Sequence, residues 1–531
     1  TSCHAVPRRV SRAVIMRRNA NYVFKGTPEN MPPVIREAPV TEDDDWEQVK
    51  ATEATSMWEM LTGPAPPVLG DAAATIKLKV NGVSYTVPAP EPEMKLVDFL
   101  RKVASCGTGS KIGCGEGGCG ACTVLLHMMD PVSGKPTTKH VNSCLRPLCA
   151  CDGLEVSTIE SVGSQESGLH PIQKQLADNN GSQCGYCTPG WVMAMMGLLA
   201  KNSKPSHQEV EDHFDGNICR CTGYRPILET MQGFAEGAAP ELPAGCCRAH
   251  AAAGEDAAGT LSIVGPTGSQ WLRPQTLQQA LQLKATNGSS CRLVGGNTGI
   301  GVEKYYNENL AVDTAPVYID ISRLTELAAV QPSASGSSLL VGSAVPINDL
   351  VEILQTAHQA APATTVTFPE IARHLLLVAN NQVRNVGTWA GNLMIAAKHP
   401  DFPSDLVTTF AGAGCSIHII SSTGKRIVSV VDFAAAALTG DAIKDDELIQ
   451  ALELPHSPGG SITEVFDSWK IMPRHQNAHA YINGACRVHL DASKKVTDAI
   501  IAFGGLGPGL RVASKTVAYL KGKTFNAATF E

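Results

Sequence analysis

The chain has 531 residues and a net charge of −7. That length allows three or four domains, and the negative balance argues against nucleic acid as the main partner. No run of 18 or more apolar residues occurs, so no membrane span is expected.

Residues 1–72 form an N-terminal extension of their own composition. Arg8, Arg9, Arg12, Arg17, Arg18 and Lys25 precede the first acid, Glu29, and an acidic run from Glu42 to Asp45 follows. A basic, acid-poor start has the composition of a mitochondrial targeting segment, which predicts mitochondrial localisation, with the cytoplasm as the alternative. A surface tail and an arm packed on a neighbouring subunit are the other two readings.

From residue 73 to 162 the pattern predicts a small sheet. Ile76, Leu78 and Val80 alternate, Asn81-Gly82 makes a tight turn, and Val83, Tyr85 and Val87 alternate back. Leu96, Phe99, Leu100 and Val103 share one face of a short helix. Strands are expected at Thr123–His127 and Leu154–Ile159. Between helix and strands lies a loop from Gly113 to Cys122, in which Cys114, Cys119 and Cys122 have the spacing C-x4-C-x2-C among five glycines. Cys144 follows after a gap of 21 residues. This is plant-type [2Fe-2S] spacing, with the last thiolate arriving from a distant segment. Glycines let the loop curl and bring backbone N–H groups to the cluster sulfurs. A zinc site or a redox disulfide is the weaker alternative, because zinc ribbons favour paired C-x2-C knuckles. Hairpin, helix, cluster loop and strands predict a β-grasp, ferredoxin-like domain.

From 163 to 234 the period becomes helical. Cys184 and Cys187 make C-x2-C, and Cys219 and Cys221 make C-x-C. Alone such a set could hold zinc. Beside the first set it predicts a second [2Fe-2S] cluster in an all-helical domain. The apolar run Trp191–Leu199 suits a buried helix that starts beside Cys187-Thr188-Pro189, where its positive end favours a negative cluster. Seventeen cysteines could suggest a secreted disulfide protein. Eight have cluster spacing and the others are scattered, so a reducing compartment fits better.

Residues 235–262 are rich in Gly, Ala and Pro and predict a linker, with Cys246-Cys247 as incidental thiols. A larger α/β unit is expected at 263–440. A helix starts at Thr276 and a short strand, Cys291–Val294, runs into the loop Gly295–Gly301. A strand followed by a glycine-rich loop aims backbone amides at a phosphate or pyrophosphate. A structural turn is the alternative for that loop alone. A second glycine-rich segment, Arg384–Asn392, followed by Ser404-Asp405-Leu406, makes a dinucleotide the better reading. Asp405 could accept hydrogen bonds from a ribose hydroxyl or an amide. Residues 441–531 read as a further α+β subdomain.

These residues resemble the xanthine dehydrogenase and aldehyde oxidase family, the molybdenum hydroxylases. The resemblance spans about 75–525 and is densest at Gly113–Thr123, Gln183–Gly190 and Gly216–Pro226. It implies an α+β multidomain chain: a ferredoxin-like [2Fe-2S] domain, a helical [2Fe-2S] domain, a vanillyl-alcohol-oxidase-type FAD domain and the start of a flavoprotein C-terminal subdomain. It implies that Cys114, Cys119, Cys122 and Cys144 hold one cluster, and that Cys184, Cys187, Cys219 and Cys221 hold the cluster nearer molybdenum. Leu293, Val294, Gly295, Gly296, Asn297, Thr298, Gly299 and Ile300 match the FAD pyrophosphate loop. Thr388, Gly391, Asn392 and Asp405 match further FAD contacts, Lys470 a lysine near the flavin, and Gln183 a glutamine that hydrogen-bonds the pterin. The implied function is electron transfer from a molybdenum site through both clusters to FAD. The molybdopterin domain has no counterpart in this sequence and is expected on a longer chain or a partner, unless it has been lost.

Three departures accompany the match. Leu377-Val378-Ala379 are aliphatic where several members place an aromatic on the flavin. Pro473-Arg474-His475-Gln476-Asn477 stand where NAD-using members carry acids. About four extra residues fall within Lys398–Pro403. These departures motivate an alternative reading, an accessory or structural subunit of a larger complex without turnover of its own.

Overall fold

Asn81 and Gly82 adopt positive φ angles of 52° and 79°, the tight hairpin turn that lets Thr75–Val80 pair with Val83–Pro88. In the computed structural model the described residues are 35–36, 73–104, 106–237, 259–304, 306, 314–526 and 529. The rest of the extension and most of the linker, with Cys246 and Cys247, lie outside them.

The hairpin belongs to a six-stranded sheet whose order is Ile35–Arg36, Val83–Pro88, Thr75–Val80, Glu155–Ser157, Thr123–Met129 and Pro136–Asn142. Helix Leu96–Lys102 covers it through Leu96, Val97, Phe99 and Leu100, all buried. Two features differ from expectation. Pro136–Asn142 is a strand that the sequence hides, because only its last three residues are buried. Part of the extension joins this chain's own sheet, with Ile35 paired to Thr86 and Arg36 to Tyr85.

The helical unit comprises Pro171–Asp178, Thr188–Lys201, His207–His213 and Arg225–Gln232. Every residue from Gly190 to Leu199 is buried, as a helix apolar on all sides requires. Ser206 and Glu209 close a reciprocal capping box at the third helix.

The next unit has two sheets. In the first, Gln270–Arg273, Val317–Asp320 and Cys291–Val294 run parallel, with Leu261–Val264 antiparallel at the edge. The second has the order Val330–Pro332, Ser338–Gly342, Leu448–Pro455, Ser416–Ile420, Lys425–Ser429. Leu448–Pro455 is its central strand, so this unit runs on to Pro455 rather than ending at 440. The last unit is an antiparallel sheet of Thr463–Ile471, Ile482–Leu490, Val496–Gly504 and Arg511–Val512. Helix Asp405–Ala413, buried along its whole length, packs against both neighbours. The architecture is α+β and multidomain, as expected.

Candidate cofactor sites

The loop Gly113–Cys122 curls because Gly115, Gly117 and Gly120 adopt φ of 69°, 80° and 70°. It brings Cys114 to Cys119, while Cys144 arrives beside Cys122 from the end of the hidden strand. The hydrogen bond from Cys119 lowers the Cys114 thiol to about 5, aided by the N–H groups of Glu116, Gly118 and Cys119. Its partner Cys119 is pushed up by the same bond and then by burial. Cys144 is raised first by its hydrogen bond with Cys122 and then by burial. The thiols therefore stand two and two.

The second set repeats that arrangement. Cys184 hydrogen-bonds Cys221, and Cys187 hydrogen-bonds Cys219. Burial, then that bond, raises Cys187 to about 11. Burial pushes Cys219 up, but hydrogen bonds from Thr222, whose hydroxyl lies 3.1 Å from the sulfur, from the Cys221 N–H and from Cys187 together outweigh it, and the net shift is downward. Helix Thr188–Lys201 begins immediately after Cys187 with proline in its first turn, so its positive end faces the site. Among the described residues no three Cys, His, Asp or Glu side chains gather as one metal ion would require. Two pairs of thiols per site suit a two-iron cluster, with one pair for each iron.

The two sites touch through backbone. Ile218 N donates to Cys119 O at 3.1 Å, which joins the neighbour of Cys219 to a cysteine of the first site. Gln183, Cys184 and Cys221 are exposed. Around them lie Ile112, Tyr186, Ile218 and Tyr224, each 43–48% exposed.

The third site is a cavity of about 1170 Å³. The two glycine-rich segments do meet at it: a Cβ on Gly296 would lie 1.9 Å from Val386 O. Leu293, Gly295, Gly296, Asn297, Thr298, Gly299, Ile300, Thr388, Gly391, Asn392, Asp405 and Lys470 line it. Val294 does not; it is 1% exposed in the core below. Thr388 caps helix Trp389–Lys398, accepting from Gly391 N at 3.0 Å. The open strand end and this helix start suit a pyrophosphate.

Asp405, which lines the cavity, is held by neighbours within the protein. Its Oδ2 lies 2.8 Å from Lys470 Nζ. Its Oδ1 accepts from Asn483 Nδ2 at 3.0 Å and lies 3.4 Å from His374 Nε2. Both oxygens thus serve the protein, and the amide they bind is internal. Burial pushes the carboxyl up, but His374 and Lys470 outweigh it and hold it below the usual range.

The sequence reading missed the far wall. Glu116, Gly117 and Gly118 of the first cysteine loop line the same cavity, as do Asn380 and Asn477. Lys398, Phe402 and Pro403, from the stretch that holds the extra residues, also line it. His399 stacks on Tyr306 at 4.5 Å, and Phe402 meets His479 edge-on at 5.5 Å.

Comparison with known proteins agrees with this geometry. Residues 78–151 match a 2Fe-2S iron-sulfur cluster binding domain and 158–232 a [2Fe-2S] binding domain. Residues 267–457 match an FAD binding domain in molybdopterin dehydrogenase, and 467–531 a CO dehydrogenase flavoprotein C-terminal domain. The chain is 32% identical over 527 residues to xanthine dehydrogenase/oxidase of Gallus gallus, covering 87% of this chain and 37% of that protein. It is 30% identical over 508 residues to aldehyde oxidase 2 of Mus musculus, covering 87% of this chain and 36% of that one. The chain belongs to the xanthine dehydrogenase and aldehyde oxidase family. It carries the family's iron–sulfur and FAD portion and spans little more than a third of the length of these relatives. Among solved structures, a Cu,Mo-CO dehydrogenase aligns with 21% identity and a TM-score of 0.40, covering 49% of this chain and 82% of that one. Quinoline 2-oxidoreductase from Pseudomonas putida aligns with 24% identity and a TM-score of 0.38, covering 48% and 81%.

Proposed function

We propose that this chain passes electrons from a molybdenum site, through its two iron–sulfur sites, to FAD. One observation carries the reading. The loop Gly113–Cys122 accepts the Ile218 N–H of the second site at its Cys119 carbonyl, and its Glu116–Gly118 segment forms a wall of the flavin cavity. A single segment therefore touches both neighbours. The clusters supply one-electron steps and FAD couples them to a two-electron output. The protein's share is to hold the groups adjacent and keep water out. Thiol pairs fix each iron, the glycine loops cradle the pyrophosphate, and the Lys470–Asp405 pair closes the buried side of the cavity.

The exposed apolar rim of Ile112, Tyr186, Ile218 and Tyr224 surrounds the second cysteine set, with Gln183 beside it. Such a rim suits a molybdopterin-bearing domain or partner chain, which would bury it and complete the path. Mitochondrial placement rests on the basic start of the sequence alone and is tested by cell fractionation.

Anaerobic spectroscopy of the loaded protein with its molybdenum partner tests the electron path. Substrate should bleach iron–sulfur and flavin absorbance together. Clusters that stay oxidised beside a reduced molybdenum centre overturn the reading.

A further inference from the structure

Three side chains of the FAD half reach across to carbonyl oxygens of the first cysteine loop. Lys304 Nζ donates to Gly115 O at 2.6 Å, Asn380 Nδ2 to Gly117 O at 2.7 Å and Asn477 Nδ2 to Gly118 O at 2.8 Å. Each carbonyl shares a peptide group with the N–H of the next residue. Those N–H groups, of Glu116, Gly118 and Cys119, are the ones that hydrogen-bond the Cys114 sulfur, with Glu116 N at 3.3 Å. Three peptide groups therefore run from the FAD half to one sulfur, each held at both ends. Asn380 and Asn477 also bond each other at 3.1 Å, and both line the flavin cavity.

A donor placed on a carbonyl polarises its amide and makes the N–H at the other end a stronger donor. Hydrogen bonds to cluster sulfurs are among the levers that set reduction potential, because they stabilise the more negative, reduced state. We propose that Lys304, Asn380 and Asn477 are positioning residues that raise the reduction potential of the first cluster through these three peptide groups. The FAD half thus tunes the cluster that faces it. This inference rests on the reading of the chain as an electron carrier. The three residues contribute unequally. Gly117 O also accepts from Asn142 Nδ2 at 3.0 Å, within the ferredoxin-like unit itself, so Asn380 is partly backed up. The direct test falls on Asn477 and Lys304.

Asn477→Gly is the cleanest change. It removes the amide, alters no charge, and suits the positive φ of 52° at that position. The measurement is a redox titration of the full, cluster-loaded chain followed by electron paramagnetic resonance. At a fixed ambient potential the reduced-to-oxidised ratio of the first cluster should fall about tenfold, about 59 mV for one electron. The second cluster should not move. Lys304→Met should shift the first cluster in the same direction and gives a second reading if Asn477→Gly fails to load. Unmoved potentials in both loaded variants overturn the inference. So does an equal shift of both clusters, which means general loosening. A wild-type chain that never shows the first cluster overturns both this inference and the electron-carrier reading.

Discussion

Lys470 and Asp405 place an ion pair where water hardly reaches, with side chains 1% and 9% exposed. Lys470 Nζ also donates to Leu377 O at 2.8 Å, which ties the pair to the aliphatic segment beside the cavity. Removing one partner of such a pair leaves a buried charge uncompensated and costs about 3–5 kcal/mol. Asp405→Asn should therefore lower the urea midpoint clearly. The pH dependence has a definite sign. The folded pKa of Asp405 lies below its ordinary value. The pair's stabilisation is thus complete above about pH 4 and is lost as pH falls through the folded value. Urea midpoints measured from neutral to acid pH should fall less steeply for Asp405→Asn than for the wild type. Parallel acid limbs would show that Asp405 contributes nothing to them.

The four-residue turn Asn381–Arg384 does more joining than its length suggests. Arg384 Nη2 and Asn381 N donate to the two oxygens of Asp215, each at 2.8 Å. Gln382 Nε2 donates to Asn217 Oδ1 at 2.8 Å. Arg384 Nη1 holds Leu376 O and Val378 O at 3.0 and 2.8 Å. The turn thus ties the helical unit to the segment facing the flavin. Burial pushes the Asp215 carboxyl up despite the Arg384 charge beside it, so the charged form is costly in the fold and the pair is not a net gain by itself. Arg384→Met alone should destabilise the protein by about 3 kcal/mol, and adding Asp215→Asn should recover much of that. With the carboxyl's folded pKa raised, the Arg384→Met penalty is largest above that pKa and shrinks as acid neutralises Asp215. Thermal or urea unfolding of the two variants at neutral and mildly acid pH decides it. A double variant no better than the single one would refute the account. Little of this turn was legible beforehand. The eight cysteines and the two glycine loops announce themselves because their chemistry demands fixed spacing. Asn380, Gln382, Arg384 and Asn477 find partners more than 90 residues away, and no local pattern marks such contacts. The strand Pro136–Asn142 stayed hidden for a related reason: its polar half is exposed and breaks the alternation.

At the scale of the molecule, the order of units along the chain was readable, but their closeness was not. The units meet where backbone approaches backbone. A Cβ on Gly301 would lie 2.5 Å from Glu116 O, and one on Gly190 would lie 2.2 Å from Gly120 O. Gly190 sits in the first turn of helix Thr188–Lys201, between the two cysteine sets. An added methyl there faces a carbonyl, not the end of a flexible side chain, so it is relieved only by moving the helical unit away from the ferredoxin-like unit. Overpacking of this kind costs about 1–3 kcal/mol. The movement would also lengthen the path that now runs through the Ile218 N–H and Cys119 carbonyl. Gly190→Ala should therefore load both clusters yet weaken the magnetic interaction between them, read as reduced splitting in the fully reduced spectrum. Gly424→Ala, where nothing lies within 4 Å of the added carbon, is the matched control and should change neither spectrum nor stability. If Gly190→Ala keeps the wild-type splitting, the close approach at Gly120 does not set the spacing of the two sites.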